Sequence, residues 1–96
     1  MTKIINNYDG LSQAEVDYIK KDAEGMNFDF IRYADDLTVT ISPHTPSESD
    51  TVAWEFDVLI EGTSDTDERG NGSFGYAYTK ETLQHGMELM ELQDLL

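Results

Sequence analysis

The chain has no cysteine, so disulfide stapling and thiolate metal sites are excluded. Cations are scarce. Six Lys and Arg stand against 20 Asp and Glu, a formal net charge of -14 at pH 7. Small soluble domains usually carry a net charge of magnitude about 2–8. A field of this sign disfavours direct contact with DNA, RNA or an anionic membrane. It favours a basic protein surface. Proline is limited to Pro43 and Pro46, tryptophan to Trp54, and histidine to His44 and His85. No apolar run is long enough to cross a membrane, and the opening MTKIINNYDG lacks the apolar stretch of a signal peptide. A cytoplasmic location is the expectation. The sequon Asn71-Gly72-Ser73 is then accidental, because glycosylation needs a secretory route.

The 96 residues suffice for one domain with a single modest core. The acids are spread from Asp9 to Asp94 rather than gathered in a tail, so they belong to a folded surface. Self-repulsion at this charge destabilises the compact state. High salt, a basic partner or simple tolerance must offset it.

The stretch TVAWEFDVLIEG, residues 51–62, organises the rest. At period two, Val52, Trp54, Phe56, Val58 and Ile60 share one face. Ala53, Glu55, Asp57, Leu59 and Glu61 share the other. One strand thus holds the core and displays acid, with neighbours on a face about 6.6 Å apart. Before it, Ser12-Gln13-Ala14-Glu15 is a capping box opening a helix that Gly25 ends. Val16, Ile19, Ala23 and Met26 form its apolar stripe, and Asp17, Asp22 and Glu24 face solvent. The pair Ile4-Ile5 either docks as an edge strand or frays. FDFIRY and LTVTIS alternate like strands, with Ala34-Asp35-Asp36 as a hairpin turn or a bulge in one bent strand. Phe74, Tyr76 and Tyr78 lie on one face of a further strand, with Gly75 and Ala77 opposite. Thr79 caps a last helix, on which Leu83, Met87 and Met90 make a seam that Leu89, Leu92 and Leu96 widen. Gly86 in its middle leaves room for a kink or a close contact. The expected fold class is α+β: a single two-layer domain over residues 1–96, with an antiparallel sheet of three to four strands flanked by an N-terminal and a C-terminal helix.

Catalytic and cofactor signals fail on inspection. Asp65 to Gly70 resembles the start of a calcium loop, but Arg69 takes the fifth position and Tyr76 the twelfth, where a bidentate Glu is needed. Gly70 to Gly75 matches G-x-G-x-x-G, yet it enters a strand instead of opening a helix. His44, in a polar proline loop, and His85, mid-helix, read as exposed, ordinary histidines without zinc spacing. No nucleophile–base pair can be built. The expectation is a protein that is no enzyme and has no cofactor.

The carboxylates carry the sharper reading. Glu55, Asp57 and Glu61 form a ladder on a rigid strand, open to joint charge reversal without harm to the fold. Asp35 and Asp36 in the turn, and Asp65, Asp67 and Glu68 in the second loop, complete the candidate binding set. Rigid carboxylates a few ångströms apart imitate phosphates, which come once per about 3.4 Å of rise on each DNA strand. Such an array would occupy the basic groove of a nucleic-acid-binding protein, with fast, salt-sensitive association. The rival reading is a solvated surface of a salt-adapted protein.

Small size, strong acidity, absence of cysteine and helix–strands–helix order resemble the phage-encoded DNA-mimic inhibitors, the anti-restriction and anti-CRISPR proteins. The likeness is greatest to small acidic anti-CRISPR proteins of type II-A systems, which have a three-stranded sheet flanked by helices. It covers the whole chain in topology and composition and rests on no shared motif. It implies an inhibitor in the host bacterial cytoplasm that binds a CRISPR effector of the Cas9 type, or a restriction nuclease, through an acidic DNA-mimicking surface, and blocks target DNA and PAM binding by covering the effector's arginine-built PAM-reading surface. An immunity or antitoxin protein against a basic nuclease would share this charge and size, and an acidic phage structural or accessory protein would share the charge alone. Leu59 and the doubled stripe of the last helix allow either a homodimer or a wider core.

Overall fold

A computed structural model describes residues 1–95. Leu96, assigned from sequence to the stripe of the last helix, lies outside the described residues. Four strands form one sheet in the order β1-β2-β3-β4: β1 Thr2–Asn6, β2 Asp36–Pro43, β3 Phe56–Thr63 and β4 Gly72–Tyr78. Three helices accompany it: α1 Gln13–Glu24, the single turn α2 Asp29–Arg32, and α3 Lys80–Asp94. A 3-10 turn spans Glu68–Gly70. The chain is a two-layer α+β domain, as its patterning implies.

Strands β2, β3 and β4 make an antiparallel meander. Ile4-Ile5 does dock at an edge, but in parallel to β2, with Ile4 beside Val39. The sheet is therefore mixed rather than antiparallel. A parallel neighbour needs a crossover of a dozen or more residues, and α1 lies in that crossover. Its capping box forms as expected: the Glu15 amide donates to Ser12 Oγ at 3.2 Å, and the Ser12 amide donates to Glu15 Oε1 at 2.9 Å.

All helices pack on one face of the sheet. Val16, Ile19 and Ala23 of α1 and Leu83 of α3 meet Leu37, Val39, Ile41, Phe56, Val58 and Ile60 in one core. Gly86 provides a close contact: a Cβ there would strike the Tyr18 hydroxyl, so the gap lets α3 approach α1. Leu89 and Leu92 do not widen the core. They stay 48% and 59% exposed, because α3 meets the rest of the core along its Leu83–Met87 side.

Two strand expectations are corrected. FDFIRY is not a strand. Phe28 precedes the turn α2, stacks on Phe30 at 5.4 Å between ring centroids, and meets Phe74 of β4 at 5.0 Å. Aromatic packing onto the end of the sheet has replaced a ladder, so neither a hairpin nor one bent strand occurs. The organising strand is also shorter than its alternation suggests. It begins at Phe56, not Thr51, because its partner β2 ends at Pro43 and the pairing runs out one residue beyond it. The last rung is the His44 amide donating to the Glu55 carbonyl at 3.2 Å. Trp54 is then only half-buried and Val52 is 41% exposed.

Gly62 and Gly72 are register partners, and Phe30 sits over both. A Cβ on Gly62 would collide with the backbone carbonyls of Phe30 and Gly70, which cannot swing aside. A Cβ on Gly75 would meet only ordinary contacts at 3.7 and 3.8 Å. Gly62→Ala is expected to lower stability in urea unfolding by about 1–3 kcal/mol, and Gly75→Ala to leave it within ~0.5 kcal/mol.

Candidate acidic interaction surface

The structure divides the eight candidate carboxylates into two groups. Asp35, Asp36, Asp65, Asp67 and Glu68 gather at the end of the sheet where β2 begins and β3 finishes. Side-chain and backbone hydrogen bonds tie this end together. Asp35 Oδ2 accepts from Ser64 Oγ at 3.0 Å and from the Asp65 amide at 3.3 Å, and the Asp35 amide donates to the Thr63 carbonyl at 2.9 Å. Asn71 braces the loop by accepting from the Ser64 amide and donating to the Ser64 carbonyl, both at 3.0 Å. Asp67 caps the 3-10 turn by accepting from the Arg69 amide at 3.0 Å.

Asp67 also receives the Arg69 guanidinium on both oxygens, at 3.0 and 2.8 Å. That pairing holds its carboxyl below the usual range and cancels most of its charge. Arg69 in turn lies over the Tyr33 ring, 3.8 Å from its centroid. Asp36, Asp65 and Glu68 are the carboxylates of this group that are exposed and make no side-chain hydrogen bond or ion pair among the described residues.

The strand group has other duties. Asp57, Leu59 and Glu61 do point away from the core, opposite Phe56, Val58 and Ile60. Glu55 lies just outside β3, and its Oε1 accepts from the Lys80 amide at 3.3 Å, at the start of α3. Asp57 accepts from His44. The three therefore do not act as a free ladder, and their joint reversal would disturb a helix start and a loop anchor. Glu61 alone is exposed and unengaged among the described residues.

His44 is the residue that the sequence reading placed wrongly. Its side chain is 15% exposed and lies between two carboxylates: Nδ1 is 2.7 Å from Asp57 Oδ1, and Nε2 is 2.8 Å from Asp50 Oδ2. Each ring nitrogen thus has a carboxylate to donate to when the ring is doubly protonated, a geometry that favours the imidazolium over the neutral ring. The bond to Asp50 foremost, then that to Asp57, pushes its pKa above the ordinary value, and the bond from His44 pushes Asp50 below it. Asp50 also accepts from the Ser47 amide at 3.0 Å, which folds the proline loop onto β3. The available signal was Pro43, which ends β2 and leaves His44 beside the first residues of β3. Asp22, expected in solvent, is half-buried and accepts from the Tyr78 hydroxyl at 3.4 Å.

No protein-family model, curated protein or solved structure matches this chain. No described helix is long and apolar enough to cross a membrane.

Because the folded pKa of His44 is raised, its contribution to stability is complete below about pH 6.5, the unfolded value. It is lost as pH rises through the folded value. The Asp50 contribution is lost at the other end, as pH falls through its depressed value. NMR titration of the His44 ring should give a midpoint above 6.5, with amide exchange in residues 44–50 accelerating through that same midpoint. A midpoint at or below 6.5 would show that the clamp does not form.

Proposed function

We propose that this protein is a non-catalytic inhibitor that occupies the nucleic-acid-binding surface of a basic protein, a Cas effector of the Cas9 type foremost, by presenting carboxylates where phosphates would lie. The supporting observation is the acidic end of the sheet. Asp36 at the start of β2, and Asp65 and Glu68 in the connection between β3 and β4, project from two segments that hydrogen bonds and the Arg69–Tyr33 stack hold in fixed relation. Preorganised charges bind without first paying for loop ordering. A net charge of -14 speeds encounter with a basic groove and makes association sensitive to salt. Such an inhibitor would act in the bacterial cytoplasm and compete with the effector's PAM-bearing DNA.

The test is capture of Cas effectors and restriction nucleases by the tagged protein at two salt concentrations, followed by competition with each partner's own DNA. Wild-type protein should retain a Cas effector at low salt, lose it at high salt, and be displaced by its DNA. Asp36→Lys, Asp65→Lys and Glu68→Lys together should weaken that binding by at least about tenfold, ~1.4 kcal/mol. They break no hydrogen bond in which these side chains take part. Retention that is indifferent to DNA would remove the mimicry reading.

A further inference from the structure

Strand β4 is an edge of the sheet, and its outer edge is bare. Its 7 residues, GSFGYAY, include no charge and no proline, in a chain that is 27% charged. Beyond the β3 ladder, its only backbone hydrogen bond among the described residues is the Tyr78 carbonyl accepting from the Glu55 amide at 2.9 Å. Folded proteins normally blunt such edges with lysine, proline or bulges. The opposite edge obeys that rule: β1 has 5 residues and carries Lys3 on the open face, beside Thr38.

The face of the sheet away from the helices gives this edge a pattern. Ser73, Gly75 and Ala77 of β4 lie beside Glu61, Leu59 and Asp57 of β3. The β4 side chains there are small, so a strand added outside β4 could send long side chains over it to β3. That distance is two strand spacings, about 9.6 Å, within the combined reach of a lysine stem and a carboxylate. Glu61 and Asp57 are four residues apart, about 13 Å along the strand. Between them Leu59, 39% exposed, joins Val58, Gly75, Tyr76 and Ala77 in lining a shallow depression.

We propose that β4 accepts an extended segment of a partner protein with the pattern basic–x–apolar–x–basic, which continues the sheet. One basic side chain meets Glu61 and the other the outward Oδ2 of Asp57, whose Oδ1 is held by His44 and whose side chain stays 46% exposed, and the apolar one fills the depression over Leu59 and Gly75. The pattern is symmetric, so parallel and antiparallel addition both satisfy it. Charge selects this occupant over a second copy. Two copies would each bring a charge of -14, and β4 offers no basic residue to its own twin. This surface is separate from the acidic end and does not depend on the function proposed for that end.

The probe is the synthetic peptide Thr-Lys-Thr-Ile-Thr-Lys-Thr, capped at both ends, titrated into the labelled full chain and followed by NMR. Shifts and slowed amide exchange are expected along residues 72–78, with a second set at Leu59 and Glu61. The same peptide with both lysines changed to glutamate should produce neither. Glu61→Gln should weaken the lysine peptide about 2–5-fold, as for an exposed ion pair. Ser73→Lys, at an exposed position beside Glu61, should weaken binding at least as much, by placing a cation where the peptide's own would lie. Three results would each overturn the proposal: no shifts on β4 in the wild-type chain, shifts at Asp35, Asp36, Asp65 and Glu68 in place of β4, or concentration-dependent self-association through β4.

Discussion

Every carboxylate and every edge in this protein takes its position from the inner row of β3. Phe56, Val58 and Ile60 are fully buried, and each is flanked across the sheet: Phe56 by Pro43 and Tyr78, Val58 by Ile41 and Tyr76, Ile60 by Val39 and Phe74. A slip of one residue would turn all three into water and bring Asp57, Leu59 and Glu61 under the helices. Burying two unpaired carboxylates would cost more than any other register could regain. The apolar row therefore fixes which way the acid points, and the acid forbids the alternative.

The charge imbalance is managed locally before any partner arrives. Glu15 and Glu55 accept backbone amides at the starts of α1 and α3, where the unpaired N–H groups attract negative charge. Arg69 is folded back on Asp67, and the His44 ring is clamped between Asp50 and Asp57, which favour its cationic form. Three of the outward carboxylates, Asp36, Asp65 and Glu68, are brought together at one end of the sheet by the turn α2, the 3-10 turn and the loop between β3 and β4. Phe30 makes that concentration possible. It packs against a pair of glycines that share a rung, and so draws α2 and the Gly70 region against the sheet.

The two faces of the sheet differ as much as its two ends. All the helices lie on one face, which leaves the other open, with small residues of β2 and β4 around Leu59 and the carboxylates Asp57 and Glu61 to either side of it. This asymmetry exposes β4 along both its edge and its outer side. A two-layer domain of this size has too few elements to cover both faces. The uncovered side of its neutral edge strand is consequently where another chain can add with least rearrangement.

Much was legible in the sequence where a local rule operates. The capping box at Ser12 and Glu15, the cap at Thr79, the alternation of Phe56 to Glu61 and the aromatic row of β4 all follow from short-range geometry and reappear unchanged. The alternation of Phe28, Asp29 and Phe30 was equally plain and misled, because a period of two cannot say whether a partner strand exists. Phe74 and the glycine pair offered those rings a better surface than a ladder would. The same ignorance of partners extended the organising strand back to Thr51, although the neighbouring strand stops at Pro43. His44 was invisible as a site because its carboxylates come from a loop and a strand that only the folded sheet brings together. Composition and periodicity thus determined the class of fold, the outward face of β3 and the sign of the field. Tertiary structure alone decided which carboxylates are free and which are spent, because a charge is neutralised by what lies within a few ångströms in space, and spacing in sequence does not record that.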